Sequence, residues 1–236
     1  MLRDFSCSYL SFHKKGNYEK RIISFSPPDI TEAKIQKVAN AMRSGWITTG
    51  SRTKKLEKEI ASWIGVNKCV CLNSATTALE LVFHVLGIGP SDEVITCAYT
   101  YTASASPVCH VGAKLVLVDC KKNSFLIDYN AVEAAIIERT KVIIPIDLGG
   151  IPCDYDRLFQ IVESKKALFH ASNKIQESIG RIAIIDDAAH AFGSVWHGKM
   201  VGSIANFTSF SFIAYLLIPR FKSLQCEETK TDFLVA

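Results

Sequence analysis

Short apolar segments alternate with amphipathic helical segments along most of the chain, and this alternation constrains the fold most. Apolar strands without an in-out alternation are buried on both faces, which is typical of a parallel sheet covered by helices. The sequence therefore predicts an α/β protein with a mostly parallel sheet and helices on both faces. The predicted strands are 69–72, 93–97, 114–118, 142–146, 182–185 and 207–212, and the predicted helices are 31–44, 53–64, 76–86, 101–111, 129–138 and 155–163. The polar residues 165–180 predict a surface excursion.

Length and composition exclude several classes of protein. A chain of 236 residues suits one large α/β domain or two small ones. With 48% apolar and 21% charged residues, it is not a disordered chain. Its 27 basic and 23 acidic residues give a net charge of +4, and the basic residues are scattered. That charge is too weak to indicate nucleic acid, so we expect no nucleic-acid partner.

The cysteines and the apolar runs indicate a cytoplasmic protein. None of the eight cysteines forms a C-x-x-C pair, and a chain of this size without a secretory signal favours free thiols. Residues 1–20 lack a continuous apolar core, so we expect no signal peptide. The apolar run at 207–218 is interrupted by hydroxyl residues and is shorter than the roughly 20 residues of a membrane span. We expect no membrane association.

Small and hydroxyl residues at 73–79 follow the first predicted strand and open the helix predicted over 76–86. Ligands of parallel sheets bind at the carboxyl ends of the strands. Free backbone N–H groups and the positive helix end favour an anion there, and Thr76 adds a hydroxyl. An ordinary Ser or Thr helix cap is the alternative. The segment has no G-x-x-x-x-G-K, and the chain has no G-x-G-x-x-G fingerprint of a nicotinamide enzyme.

Two further strand ends carry side chains suited to a ligand. Tyr99 and Tyr101 follow the second strand, where a ring can stack on a planar ligand or pack in a core or interface. Ser211 lies at the end of the last strand, and its hydroxyl suits a phosphate. Neither feature identifies a ligand on its own.

Two carboxylates and a histidine end the strand at 182–185. Asp186 and Asp187 follow an apolar run, and His190 comes three residues after Asp187. A buried carboxylate is costly unless it is paired, and a protonated pyridinium nitrogen is one suitable cation. A metal bound by Asp187, His190 and His197 is an alternative, although the spacing matches no standard pattern. A helix cap with surface charge is another.

Together these features fit a flat, phosphorylated, pyridine-type cofactor, for which pyridoxal 5'-phosphate (PLP) is the obvious candidate. The anion seat and second hydroxyl suit the phosphate, the tyrosine suits the ring, and the carboxylate suits the ring nitrogen. No metal is expected.

Seven motifs jointly resemble the DegT/DnrJ/StrS family of PLP-dependent sugar aminotransferases. They are residues 44–50, 73–79, 89–95, 100–104, 112–114, 139–141 and 187–193. The resemblance implies the large domain of the aspartate-aminotransferase fold, PLP fold type I. It implies PLP as cofactor, nucleotide-linked keto sugars as substrates, glutamate as the usual amino donor, and a homodimer.

The resemblance also assigns cofactor contacts to particular residues. Ala75 and Thr76 match the turn that holds the phosphate, and Ser211 matches a serine that also binds it. Tyr101 matches the aromatic residue stacked on the ring. Asp187 matches the carboxylate paired with the ring nitrogen, and His190 matches the residue beside the phenolic oxygen.

The sequence departs from the family after Phe212. The family continues with a histidine and, three residues later, the Schiff-base lysine, whereas this chain has Ile213 and Leu216 there. The acidic-glycine-glycine turn that follows in the family is absent. We therefore expect an extension over 1–21, an incomplete PLP-binding domain over 22–212, and a non-homologous tail over 213–236 without the small C-terminal domain. Such a break is typical of a frameshift, a gene fragment or a deliberate truncation.

Because lysine both holds the cofactor and moves the reacting proton, Leu216 predicts that the chain is catalytically inactive by itself. Two alternatives remain. The chain is a non-catalytic fragment that binds PLP weakly, or it pairs with an intact paralogue. A nicotinamide-dependent sugar enzyme is disfavoured because the glycine fingerprint is missing.

Overall fold

The computed structural model describes residues 30–212. The extension over 1–21, the tail over 213–236 and Leu216 lie outside these residues. The described helices are α1 (Glu32–Arg43), α2 (Ser51–Ile64), α3 (Ala75–Leu86), α4 (Thr102–His110), α5 (Tyr129–Ala135), α6 (Tyr155–Ser164) and α7 (Lys174–Ile179). The described strands are β1 (Glu93–Cys97), β2 (Lys114–Val118), β3 (Thr140–Ile144), β4 (Ala183–Asp187), β5 (Val195–Trp196), β6 (Lys199–Met200) and β7 (Phe207–Ser209).

A five-stranded sheet with the order β2-β1-β3-β4-β7 forms the centre of the described part. Each pairing in this sheet is parallel. Strands β1, β3 and β4 are buried at all five positions, which explains why their sequences are apolar without alternation. The sheet and its packed helices confirm the predicted α/β class. A separate antiparallel hairpin joins β5 to β6.

The caps and the buried face of helix α3 determine where its first turn lies, and the predicted site includes this turn. The Ser74 hydroxyl caps its first turn by accepting from the amide of Thr77, and Gly87 ends it in the left-handed conformation at φ +66°. Leu79, Phe83 and Leu86 lie on one face of α3 and are buried in the main core. This face fixes the helix against α4 and β7.

The predicted strand over 69–72 is wrong. These residues lie outside any strand, and the amide of Cys71 donates to Glu57 Oε1 of α2 at 2.9 Å. Cys69 and Cys71 pack against a small apolar cluster of α2. A short apolar run indicates burial, but it does not show whether a strand is available as a partner.

Other boundaries differ by a few residues. Helix α5 and strand β7 each end three residues before the predicted position, and β3 begins two residues earlier than predicted. The segment 165–180 is more than a surface excursion, because it contains α7. The buried side chain of Gln176 in α7 donates to the carbonyl oxygen of Leu86 at 2.7 Å, which ties this segment to the end of α3.

Within residues 30–212, no helix has both the length and the apolar character needed to cross a membrane.

Two leucines of α3 provide a matched test of the core. Leu79 is 1% exposed and Leu81 is 42% exposed. We expect Leu79→Ala to lower the free energy of unfolding by about 3 kcal/mol, because it leaves a cavity in the core. Leu81→Ala removes the same atoms from the surface, and we expect a loss below about 1 kcal/mol. Urea denaturation checks both values, and equal losses would contradict the assigned burial.

Candidate cofactor site

Asp187 ends β4 at the carboxyl edge of the sheet, and its carboxylate is buried. The Ser104 hydroxyl in α4 donates to Asp187 Oδ2 at 2.5 Å, and the amide of Ala189 donates to Oδ1 at 3.2 Å. Burial raises the pKa of Asp187 above its ordinary value, while these two donors and His190 act in the opposite direction. No ion pair of the described residues includes a lysine or arginine on Asp187.

The start of α3 lies against β7, beside the end of β4. The Ser209 hydroxyl donates to the carbonyl oxygen of Ala75 at 3.1 Å, and the amide of Ala188 donates to the carbonyl oxygen of Ser209 at 2.9 Å. Ser211 follows two residues later and is buried. The first amides of a helix have no acceptor within it, so Ala75 and Thr76 present N–H groups at this edge. The geometry therefore brings Ala75, Thr76, Ser211 and Asp187 to one region of the sheet edge.

Ser104 links Tyr101 to Asp187, because it forms a hydrogen bond with each of them. Tyr101 precedes α4, and its carbonyl oxygen accepts from the amide of Ser104 at 3.1 Å. Its side chain is 80% exposed, so its ring is open to a ligand or to another chain. Tyr99 packs elsewhere, with its ring stacked on Phe125 at 5.3 Å between centroids.

His190 is held by the loop that follows β3. Its Nδ1 accepts from the amide of Gly149 at 3.2 Å. Because Nδ1 is an acceptor in this bond, the hydrogen of the neutral ring is on Nε2. His190 is partly buried and lies close enough to lower the pKa of Asp187.

The described residues do not form the alternative metal site. His197 Nδ1 lies 3.0 Å from Asp156 Oδ2, so this histidine pairs with a carboxylate of α6 rather than with Asp187 and His190. Across residues 30–212, no three His, Cys, Asp or Glu side chains are grouped as ligands for a metal ion.

The side chains at this edge fit PLP in charge and position. A buried carboxylate that pairs with no lysine or arginine of the described residues suits the protonated nitrogen of a pyridine ring. A helix start and a buried hydroxyl suit a phosphate. The carboxylate ends β4, the helix start contacts β7 and the hydroxyl follows β7, and these features require opposite charges on one flat ligand.

A second buried carboxyl group behind this site was not foreseen from the sequence. Asp147 accepts from the amide of Cys153 at 2.8 Å and from the Tyr155 hydroxyl at 3.0 Å. Asp186 is buried nearby, and its Oδ1 has no hydrogen-bond partner among the described residues. Burial raises the pKa of both carboxyls, Asp147 further raises that of Asp186, and Asp187 raises the pKa of both. The two groups therefore resist being ionised together.

Ser104 was also missed as a functional residue. It lies inside a motif that the family resemblance includes, but a serine in a helix has no distinguishing sequence signal. Only the fold brings it to Asp187, which is 83 residues away in sequence. The hydrogen bond from Tyr155 to Asp147 was missed for the same reason. Nothing in the sequence indicates that these two residues lie beside Asp186.

Comparison with known proteins now identifies the family. A profile of the DegT/DnrJ/EryC1/StrS aminotransferase family matches residues 28–221. The chain belongs to the DegT/DnrJ/EryC1/StrS aminotransferase family. This family is PLP-dependent, in agreement with the cofactor expected from the strand ends.

Among the curated members, the spore coat polysaccharide biosynthesis protein SpsC of Bacillus subtilis is 36% identical over 192 residues. The alignment spans 81% of this chain and 46% of SpsC. The UDP-4-amino-4-deoxy-L-arabinose–oxoglutarate aminotransferase of Shewanella sediminis is 39% identical over 175 residues, or 74% of this chain and 41% of that enzyme. The chain thus spans slightly less than half the length of these relatives.

A solved structure agrees with the fold. The putative sugar aminotransferase Spr1654 of Streptococcus pneumoniae is 57% identical, with a TM-score of 0.80. Its PLP form is matched over 82% of this chain and 49% of that chain. A PMP form of the same protein matches equally well. The fold type of the family is therefore confirmed for the described residues, while the cofactor roles of the six site residues stay predictions.

The buried carboxyl pair makes stability depend on pH. Burial raises the pKa of Asp147 from 3.8 to about 6, so the folded chain holds this proton more tightly than the unfolded chain. The resulting stabilisation is complete below pH 3.8 and is lost as the pH rises to about 6. We expect the free energy of unfolding to fall over this range by on the order of 3 kcal/mol.

Asp147→Asn stays neutral, so we expect it to remove the part of this pH dependence that comes from Asp147 and to leave the parts from Asp186 and Asp187. Asp119→Asn is the matched control, because Asp119 is exposed and its carboxylate accepts from the neighbouring amide and thiol of Cys120. Urea denaturation at several pH values checks both variants. A slope that is unchanged in Asp147→Asn would contradict a buried proton on this carboxyl.

Proposed function

We propose that this chain is the PLP-binding part of a sugar aminotransferase, and that it binds PLP without a covalent link. The buried carboxylate of Asp187 carries the proposal, because it has no lysine or arginine partner within residues 30–212 and ends a strand beside a helix start. Membership in a PLP-dependent family supports the same ligand.

Each proposed contact follows from the chemistry of the residue. Ala75 and Thr76 donate backbone N–H groups to the phosphate at the positive end of α3, and Ser211 adds a hydroxyl. Asp187 pairs with the ring nitrogen and keeps it protonated, while Ser104 fixes the orientation of the carboxylate. Tyr101 covers one face of the ring, and His190 lies beside its phenolic oxygen.

PLP supplies a ring that withdraws electrons from a substrate carbon when it is bound. Transfer of an amino group also needs a base that removes and returns a proton at that carbon. In the family this base is the lysine, and its position is Leu216 in this chain. A leucine side chain neither forms a covalent link nor moves a proton, so we propose that the chain is inactive by itself.

For the family to which the chain belongs, we propose nucleotide-linked keto sugars as substrates and glutamate as amino donor. The name of the Shewanella sediminis relative, a UDP-sugar–oxoglutarate aminotransferase, supports this proposal. Oxoglutarate is the keto acid that glutamate becomes when it gives up its amino group. The polysaccharide role in the name of SpsC supports a sugar substrate.

A second proposal is that the chain pairs with another copy or with an intact paralogue. Exposed large apolar side chains favour a covering partner, because Trp46, Ile47 and Tyr101 are 63%, 78% and 80% exposed. Co-purification of a tagged chain with a full-length paralogue tests this pairing. A chain that sediments as a monomer with the paralogue present would contradict it.

The PLP proposal predicts a specific loss in Asp187→Asn. We expect this variant to weaken PLP binding by about tenfold or more, because an amide does not hold the ring nitrogen protonated. Asp156→Asn is the control, since Asp156 is exposed and pairs with His197. Titration followed by PLP absorbance gives both dissociation constants. Equal binding by Asp187→Asn and the unchanged chain, with both folded by circular dichroism, would contradict the assigned role.

The loss of lysine predicts the covalent chemistry as well. We expect the unchanged chain to form no borohydride-reducible link to PLP and to convert no PLP in the presence of glutamate. Leu216→Lys is expected to gain the reducible link, which mass spectrometry detects. A link or transamination in the unchanged chain would contradict the proposal. A missing link in Leu216→Lys would show that the lysine position is not 216.

A further inference from the structure

The loop that follows β3 is bonded to the segment that carries two of the predicted cofactor residues. We call residues 147–153 the Asp147 loop. Its first amide, that of Asp147, donates to the carbonyl oxygen of Asp187 at 3.1 Å. The amide of Gly149 donates to His190 Nδ1 at 3.2 Å. The conformation of the Asp147 loop therefore decides where the His190 ring is held.

Two adjacent glycines give this loop its shape. Gly149 and Gly150 have φ values of +62° and +74°, a left-handed conformation that glycine adopts without strain. The buried hydroxyl of Ser194 donates to the carbonyl oxygen of Gly150 at 2.8 Å. Glycine loses more conformational freedom on folding than any other residue, so a turn made of two glycines needs contacts that hold it.

The side chain of Asp147 supplies such contacts. Its Oδ1 accepts from the amide of Cys153 at 2.8 Å, and its Oδ2 accepts from the Tyr155 hydroxyl at 3.0 Å. All three residues are 0% exposed, so water does not compete for these two bonds. The first bond joins the two ends of the Asp147 loop, and the second fixes the loop to the start of α6.

Closing the loop does not require a charge on Asp147. Burial and the nearby Asp187 carboxylate raise the pKa of Asp147 to about 6. An ionised carboxyl, a neutral carboxyl and an asparagine amide each have an oxygen that accepts from the Cys153 amide. The loop is therefore expected to keep its shape while Asp147 titrates, and also in Asp147→Asn. Removing the acceptor oxygen is what opens it.

The bond from Gly149 determines what His190 can do. A backbone amide only donates, so Nδ1 accepts and the hydrogen of the neutral ring is on Nε2. His190 Nε2 is thereby a hydrogen-bond donor, and the position of the Gly149 amide fixes its direction. A ligand oxygen is the partner that such a donor requires.

We propose that Asp147 is a positioning residue of the cofactor site. By closing its loop, Asp147 holds the Gly149 amide on His190, so that Nε2 presents its hydrogen to the phenolic oxygen of the cofactor. This inference rests on the proposed function, in which His190 lies beside that oxygen. Asp147 acts through Gly149 and His190, which are 41 positions apart in sequence, so no local motif indicates the role.

NMR of the full chain, labelled with ¹⁵N, tests the positioning without any cofactor. At about pH 8 an ordinary histidine is neutral. A coupling across the hydrogen bond between the Gly149 amide nitrogen and His190 Nδ1 then reports the contact directly. We expect this coupling in the unchanged chain and in Asp147→Asn, which keeps an acceptor oxygen. We expect its loss in Asp147→Ala, which removes both bonds that hold the loop.

Asp128→Ala is the matched control. Asp128 also holds a turn with its carboxylate, which accepts from the amides of Asn130 and Ala131 at the start of α5. We expect this variant to keep the coupling. In PLP titrations, we expect Asp147→Ala to weaken binding by about three- to tenfold, as for the loss of one positioned hydrogen bond. Asp147→Asn and Asp128→Ala are expected to change PLP binding by less than about twofold.

Circular dichroism establishes that each variant is folded, and the couplings then decide the proposal. A coupling that persists in Asp147→Ala, or that is missing from the unchanged chain, would overturn it. Loss of the coupling with unchanged PLP binding would overturn it as well, and so would equal losses in Asp147→Ala and Asp128→Ala. If Asp147→Ala does not fold, loss of the coupling in folded Asp147→Asn overturns the proposal and its retention supports it.

The two readouts also separate this proposal from the PLP proposal. If the unchanged chain binds no PLP, the proposed function fails. The coupling in Asp147→Ala still shows whether Asp147 positions His190, because that measurement needs no PLP.

Discussion

The burial of the Asp187 carboxylate at the end of β4 is the constraint on which the site depends. An ionised carboxyl away from water needs donors or a cation, and the fold supplies Ser104 and a backbone amide. Ser104 reaches it only because α4 packs beside the sheet, and the helix start at Ala75 reaches it only because β7 pairs with β4. The order of the strands therefore determines which charged and hydrogen-bonding groups lie together in the site.

The neighbouring carboxyls of β4 have different environments because successive side chains of a strand point to opposite faces. The Asp187 carboxylate accepts from Ser104 at the carboxyl edge of the sheet. Asp186 interacts with Asp147 and Tyr155 on the other face. Burial favours the neutral form of the inner group, and hydrogen bonds favour the charged form of the outer one. One dipeptide thus places a carboxyl with a raised pKa directly behind an acceptor, and within residues 30–212 no lysine or arginine pairs with either group.

The elements that sequence predicted well are those with a periodic apolar face and a clear cap. Helix α3 has both, in Leu79 and Ser74, and the buried strands β1 and β4 have unbroken apolar runs. The strand predicted over 69–72 is wrong because apolar character does not specify a strand partner. The amide of Cys71 donates instead to the Glu57 side chain of α2. Ser104 and Asp147 were missed because their roles come from contacts that only the folded sheet creates. The six residues predicted to hold the cofactor each follow a strand or open a helix, which is why the sequence could single them out.

The hydrogen bond from Ser209 to Ala75 also has a consequence for the order of folding. It joins residues 134 positions apart, so most of the sheet must be synthesised before this contact can form. Closing so long a loop is entropically costly and slow, whereas α3 itself needs only local contacts. On a growing chain, the helix start would therefore stay exposed until the last strand of the sheet emerges. The proposed phosphate seat is therefore expected to be among the last parts of the described sheet to be assembled.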